Sequence, residues 1–241
     1  MNTAYASNGI TGLANEAITL DDTTLAAATL NTLDGNTTGA INATSVGTLT
    51  GTFAEVTAAQ DSNGITGLEG VITIISGNMT VAQANSVAAS TTDPVVATIT
   101  EGDMATLANL TETGNTYTIT VTDTTVDSAD LNTLDGKTTV AINCDAVTVL
   151  TGTAAATNTA YSSSGISGLG NEAVTIEDTT LAAATLNTLD GNTTGAINAS
   201  TVTTLTGTAA AANTAYASSG ITGLANEAIT ITDTSIAASV L

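Results

Sequence analysis

The side chains able to do chemistry in this 241-residue chain are almost all carboxylates, 22 Asp and Glu against a single Lys or Arg and no His, for a formal net charge of −21. The aspartates recur in two settings. Asp21, Asp22, Asp103, Asp123, Asp127, Asp178 and Asp233 stand where a β-branched cluster gives way to an Ala/Leu segment, whereas Asp34, Asp135 and Asp190 close that segment inside the pentapeptide NTLDG. Two chemistries suit them. A first-turn carboxylate caps a helix and opposes its positive dipole end, which fits the first group. The second group sits at the helix end where negative charge is unfavourable, so it is the better candidate for a cation. Ca2+ takes about six to eight oxygen ligands, which Asp, Asn, Thr and carbonyl groups supply. The candidate metal ligands are therefore Asp34 with Asn36, Asp135, and Asp190 with Asn192, and Lys137 stands where the second copy would carry Asn. The spacing matches neither an EF-hand nor the Gly-rich nonapeptide of calcium-binding β-rolls.

Other chemistry is poorly served. A Ser or Asp nucleophile needs a positioned base, and His is absent. Paired carboxylates hydrolyse glycosides in principle, but no pair stands out from its repeated copies. The expectation is a protein that is not an enzyme and holds no cofactor beyond the candidate Ca2+. Cys144, the lone cysteine, reads as a small buried residue. Tyr5, Tyr161 and Tyr216 share one repeat position and read as packing plugs rather than a sugar platform. Thr19, Asn42, Thr73, Thr98, Thr120, Asn143, Thr175, Asn198 and Thr230 are expected to face outward as one polar column. The pairs Thr98/Thr100, Thr120/Thr122 and Thr230/Thr232 resemble ice-binding surfaces, although threonine, with a methyl for the sheet and a hydroxyl for water, suits any such exterior.

The elements that must position these residues follow from periodicity. Ile18 and Leu20 flank Thr19, Ile119 and Val121 flank Thr120, and Val174 and Ile176 flank Thr175, the alternation of a half-buried strand. Ala26, Leu30 and Leu33, and then Met104, Leu107 and Leu110, have helical spacing, with Asp or Thr as N-caps and Gly35, Gly136 and Gly191 as stops. Long stretches recur at 55 residues, such as NTAY at Asn158 and Asn213, and NTLDG recurs at spacings of 101 and 55. Strand-like clusters follow one another about every 22–32 residues. Such units bury their apolar faces only by stacking. The expected fold is an α/β solenoid of strand-plus-short-helix coils with one long parallel sheet, the alternative being an all-β parallel β-helix. One array is expected over 1–241, with repeat blocks at 1–68 and 132–241 and divergent coils at 69–131, where the only proline, Pro94, lies. The chain opens at Asn2, equivalent to Asn213, and stops at Leu241, equivalent to Leu30, so excision from a longer array is expected.

LNTLDGNTTG at Leu30 and Leu186, TAYASSGITGLANEAIT at Thr214 and TLTGTAAA at Thr204 resemble the repeats of very long marine cyanobacterial cell-surface proteins, most closely over residues 1–68 and 130–241. The resemblance implies an exported, surface-attached structural product and carries no residue roles with it. The stretch from Glu69 to Thr125 departs from it by lacking NTLDG. The functional expectation is a spacer, stalk or filament segment, extracellular or at the cell surface, whose partners are flanking repeats and copies of itself. A calcium-stiffened adhesin-type module and an ice- or crystal-face binder are the alternatives. The acidity excludes nucleic acid and anionic membrane surfaces as partners. No apolar run approaches a membrane span, and the first residues do not form a signal peptide.

Overall fold

The computed structural model describes residues 1–235, so positions 236–241 of the 132–241 block lie outside it. Alternating strands and short helices form an α/β fold with parallel pairing throughout the named sheets. They gather into two compact units: Met1–Glu101 with Asn109–Ile119 and Lys137–Val140, and Gly102–Ala108 with Thr120–Gly136 and the chain from Ala141 onward.

The first unit contains α1 (Asn2–Tyr5), β1 (Ile18–Thr19), β2 (Thr24–Ala26), α2 (Ala27–Asn36), β3 (Ile41–Asn42), β4 (Thr48–Gly51), α3 (Phe53–Gln60), β5 (Ile65–Thr66), β6 (Ile72–Met79), α4 (Val81–Ala88), β7 (Val95–Ile99) and, further along, β8 (Thr116–Thr118). Its sheets are ordered β1-β3-β5 and β2-β4-β6-β7-β8. The second unit contains α5 (Met104–Leu107), β9 (Thr125–Asp127), α6 (Ser128–Asp135), β10 (Ile142–Asn143), β11 (Val149–Gly152), α7 (Ala154–Ser162), β12 (Ile166–Ser167), β13 (Ala173–Ile176), β14 (Thr180–Ala182), α8 (Ala183–Asn192), β15 (Ile197–Asn198), β16 (Thr204–Gly207), α9 (Ala209–Ala217), β17 (Ile221–Thr222) and β18 (Ala228–Ile231). Its sheets are β10-β12, β9-β11-β13-β15-β17 and β14-β16-β18.

Five separate sheets therefore stand where one long sheet was expected, and the reason is arithmetic in the repeat. Strand partners lie 24 residues apart in most pairs, as in Thr24↔Thr48, Leu150↔Val174 and Ile197↔Ile221, and 23 apart in Val174↔Ile197. Two such steps fall short of the 55-residue sequence repeat. The surplus is taken up by an inserted strand, β13 in the second unit and the first half of β6 in the first. Both five-stranded sheets consequently follow one pattern: two strands that precede helices, the inserted strand, then two strands that follow helices. In β6 the register slips between Ile74 and Asn78, at Gly77, whose φ of 89° is readily adopted only by glycine.

The Ala/Leu segments are helices, which removes the all-β alternative. Each is too short to persist alone, and packing supplies what propensity cannot. α2 buries Ala27, Leu30 and Leu33, with Ala26 exposed as the last strand residue, one position from the face the spacing predicted. α9 buries Ala209, Ala212 and Ala215. Burying each leucine contributes about 1.5–3 kcal/mol. Thr52, Thr80, Thr153 and Thr208 cap α3, α4, α7 and α9 by accepting from an N–H in the first turn. Gly35 and Gly191 do not stop their helices. Both lie inside them, and the chain leaves through extended Thr37 and Thr193, while Gly136 caps α6 in a right-handed conformation. The exits are fixed by Thr37 Oγ1 and Thr193 Oγ1, which donate to the Glu16 and Glu172 carbonyls at 3.1 and 2.8 Å.

Candidate functional site

The three aspartates at the helix ends do the same thing in each copy. Oδ2 of Asp34, Asp135 and Asp190 accepts a hydrogen bond of 2.7 Å from Ser62, Ser163 and Ser218 respectively, 28 residues further on. Each serine Oγ in turn accepts from the backbone N–H of Gly64, Gly165 or Gly220 at 3.0 Å. A Cβ on any of those glycines would collide with the aspartate carboxylate, so the glycine makes room for the rung. The sequence offered a signal for these partners, since S-x-G follows every one of the three aspartates at the same distance. Asn192 turns elsewhere, its Nδ2 donating to Asn158 Oδ1 at 2.9 Å, and Asn36 is exposed. Lys137, at the position equivalent to Asn36, donates from Nζ to the Thr111 carbonyl at 3.0 Å. Among the described residues, no three His, Cys, Asp or Glu side chains converge in a way that would hold a metal.

Five of the seven aspartates at the strand-to-helix step divide by role, while α2, which follows Asp21 and Asp22, has Ala26 at its N-cap position and no side-chain cap. Asp103 and Asp127 cap their own helices, α5 and α6. Asp123, Asp178 and Asp233 instead accept from the first N–H of a helix earlier in the chain, Met104, Ala154 and Ala209, at 2.6, 2.7 and 2.7 Å, and Glu101 does the same for Val81 at 3.0 Å. α7 and α9 thus receive a cap from the threonine just before them and a carboxylate from 24 residues further along the chain. Asparagines reach in the opposite direction along the chain. The first Asn of each NTLDG, at 31, 132 and 187, donates from Nδ2 to the carbonyl of Glu55, Ala156 and Ala211 at 2.8–2.9 Å. Their repetition was visible in the sequence, but a neutral amide inside a helix gave no sign of which neighbour it would meet.

The repeated tyrosines are clasps on glutamates eleven positions later. Tyr161 and Tyr216 donate to Oε2 of Glu172 and Glu227 at 3.0 and 2.9 Å, and Tyr5 reaches Glu16 at 3.4 Å. Glu172 is fully buried, and its other oxygen has no partner among the described residues. Burial pushes the Tyr161 hydroxyl well above its usual range. Glu16 is held below the usual carboxylate range first by its own backbone N–H. Glu227 is also lowered, partial burial opposing and backbone and Tyr216 donors prevailing. Buried Cys144 has its thiol pushed up to about 12, mainly by burial and secondly by Glu172 and two aspartates. These groups are hydrogen-bonded or sheltered rather than poised to transfer a proton.

The outward column of threonine and asparagine is broken into short pieces. Thr19 and Asn42 align with Thr66; Thr120 and Asn143 align with Ser167; Thr175 and Asn198 align with Thr222. Thr98 lies beside Asn78 and Thr118, and Thr230 beside Thr206. Thr73 departs altogether: it is buried between Leu49 and Val95, its hydroxyl without a partner among the described residues. The inserted strand is the cause, because it moves equivalent residues onto a different ladder at each repeat.

No known family, no curated protein and no solved structure matches this chain. No helix among the described residues is long and apolar enough to cross a membrane.

Proposed function

We propose that the chain is a non-catalytic structural array, an α/β solenoid segment serving as spacer, stalk or filament segment of a bacterial cell-surface or extracellular protein, with flanking repeats and copies of itself as partners. The observation that carries this reading is the Asp–Ser rung repeated at 28-residue separation in Asp34/Ser62, Asp135/Ser163 and Asp190/Ser218. Around it, the Asn31, Asn132 and Asn187 amides, the Thr37 and Thr193 hydroxyls and the Asp123, Asp178 and Asp233 carboxylates bond to residues of a neighbouring strand–helix repeat rather than line a shared cleft. A catalytic site concentrates unlike groups at one place; here like groups recur along the chain. The net charge of −21 keeps such an array solvated and repels nucleic acid and anionic lipid. The resemblance to cyanobacterial surface repeats supports the extracellular assignment.

The test is small-angle scattering on arrays containing one to four 55-residue blocks. Strands stack about 4.8 Å apart, so each block adds about 11 Å to the longest dimension while the cross-section stays constant. Growth in all three dimensions would sink the solenoid reading. Because Asp34, Asp135 and Asp190 are engaged by serines, melting should be the same in chelator and in Ca2+. A Ca2+-specific rise in melting temperature would return those carboxylates to the role of metal ligands.

A further inference from the structure

The first unit carries a groove of about 610 Å3 lined by Ala88, Ala89, Thr91 to Pro94 and Glu112 to Asn115. It lies in the divergent stretch, where the strand-to-strand step shortens from 24 residues to 20 at Val96↔Thr116. The groove lies between the end of α4 and the loop before β8, in which Gly114 has a φ of 79°.

The polar groups lining it are of two kinds. Thr91 and Thr92 are structural, their hydroxyls donating to the Val71 and Glu69 carbonyls. The carboxylates of Asp93 and Glu112, the hydroxyl of Thr113 and Nδ2 of Asn115 make no hydrogen bond among the described residues. Asn115 is the telling member. It is only 4% exposed, and its Oδ1 is fixed by the Val95 N–H at 2.9 Å, leaving the amide N–H2 unused. This contrasts with Asp34, Asp123, Asp135, Asp178 and Asp190, each of which accepts a hydrogen bond from a residue 19–28 positions away.

We propose that this groove binds a saccharide unit. Two carboxylates accept from neighbouring hydroxyls, the Asn115 amide donates to a sugar oxygen, Thr113 does either, and Pro94 with Ala88 and Ala89 offers a C–H surface to the apolar face of the ring. The volume lies within the roughly 300–1,000 Å3 of small-molecule sites, and the polar lining selects a polar occupant. Anions are repelled, since no cationic side chain lines the groove. A bare cation is a poor fit, because it needs about six converging oxygens and has no use for an amide donor. The site is independent of whether the array is a spacer.

The experiment is a titration of the full isotope-labelled chain, followed by amide NMR shifts, with glucose, galactose, mannose, N-acetylglucosamine and glucosamine, and with CaCl2 and spermidine as separate arms. At least one sugar is expected to give saturable shifts confined to residues 91–93 and 112–115. The double variant Asp93→Asn/Glu112→Gln, at exposed positions that hold no structural bond, should bind that sugar at least about tenfold more weakly. Asp21→Asn, outside the groove, should not change binding. Absence of saturable shifts with every sugar, equal shifts with CaCl2 or spermidine, or full binding by the double variant would each overturn the proposal.

Discussion

Replacing Ser163 with alanine tests whether the Asp–Ser rungs hold successive strand–helix repeats together. The change removes a hydrogen bond of 2.7 Å to the Asp135 carboxylate and one of 3.0 Å from the Gly165 N–H. A hydrogen bond to a charged group contributes about 1.5–3 kcal/mol and a neutral one about 0.5–1.5. Asp135 and Ser163 are half-buried, so water recovers part of this, and the expected loss is about 2 kcal/mol. In a chain of this length that lowers the melting temperature by about 4–8 °C. Because segments of a folded chain open locally, amide exchange is the sharper assay, and protection at Gly165 and Ile166 should fall by about thirtyfold. A double-mutant cycle with Asp135→Ala should return a coupling of about 1–2 kcal/mol. Ser164→Ala is the control, since Ser164 is exposed and one position away. A coupling below about 0.3 kcal/mol, or a Ser163 variant indistinguishable from the Ser164 control, would refute the reasoning.

Tyr161→Phe should cost about 1–2 kcal/mol because it deprives buried Glu172 of a donor, whereas Tyr216→Phe, at 41% exposure, should cost less than about 0.5, as read by thermal melts of the two variants. Cys144 should be inert to a thiol-specific reagent near neutral pH and react only on unfolding, because burial keeps its pKa up at about 12; native-state labelling at the unfolded rate would contradict this. Glu55 has its pKa lowered first by the Thr52 backbone N–H, so the bond stabilises the fold above the ordinary carboxylate value of 4.5 and is lost as pH falls through the lower folded value. Wild type and Glu55→Gln melting curves should therefore converge on acidification from pH 6, and a gap that widens instead would reverse the sign of the argument.

Much of this architecture is legible in the sequence, and the failures have a common origin. Alternation about Thr19, Thr120 and Thr175 marks strand positions, and helical spacing marks Leu30 and Leu33, because burial on one face imposes a period on any chain. Thr73 was placed outward by the same alternation and is buried instead. It lies in the inserted strand segment, paired with Leu49 and Val95, where the ladder changes hands, and local pattern carries no record of that exchange. Asp135 shows the same limit in the site. Its position at a helix end marks it as a cation candidate, whereas its partner, Ser163, lies 28 residues further on, beyond the reach of local pattern. Asn132 and Asn187 carry no signal of their partners in the sequence, because a single amide has no diagnostic spacing, and only its reach to Ala156 or Ala211 reveals its task. Period reports which face is buried; it is silent about what meets that face.

The mismatch between the 24-residue step and the 55-residue repeat works as a vernier, two rulers whose marks coincide only at intervals. A gain or loss of DNA that spans one whole repeat keeps every strand on a suitable neighbour, since the inserted strand travels with it. A loss of one 24-residue step keeps the hydrogen-bond spacing but brings the exchange between ladders one step early, so strands that precede helices meet those that follow them. Within the blocks that keep the 55-residue period, length is therefore added in whole repeats, and the seven-residue interval from Val174 to Leu181 sets that unit; across the divergent stretch, where NTLDG recurs at 101 residues and the strand step shortens to 20, the rule lapses.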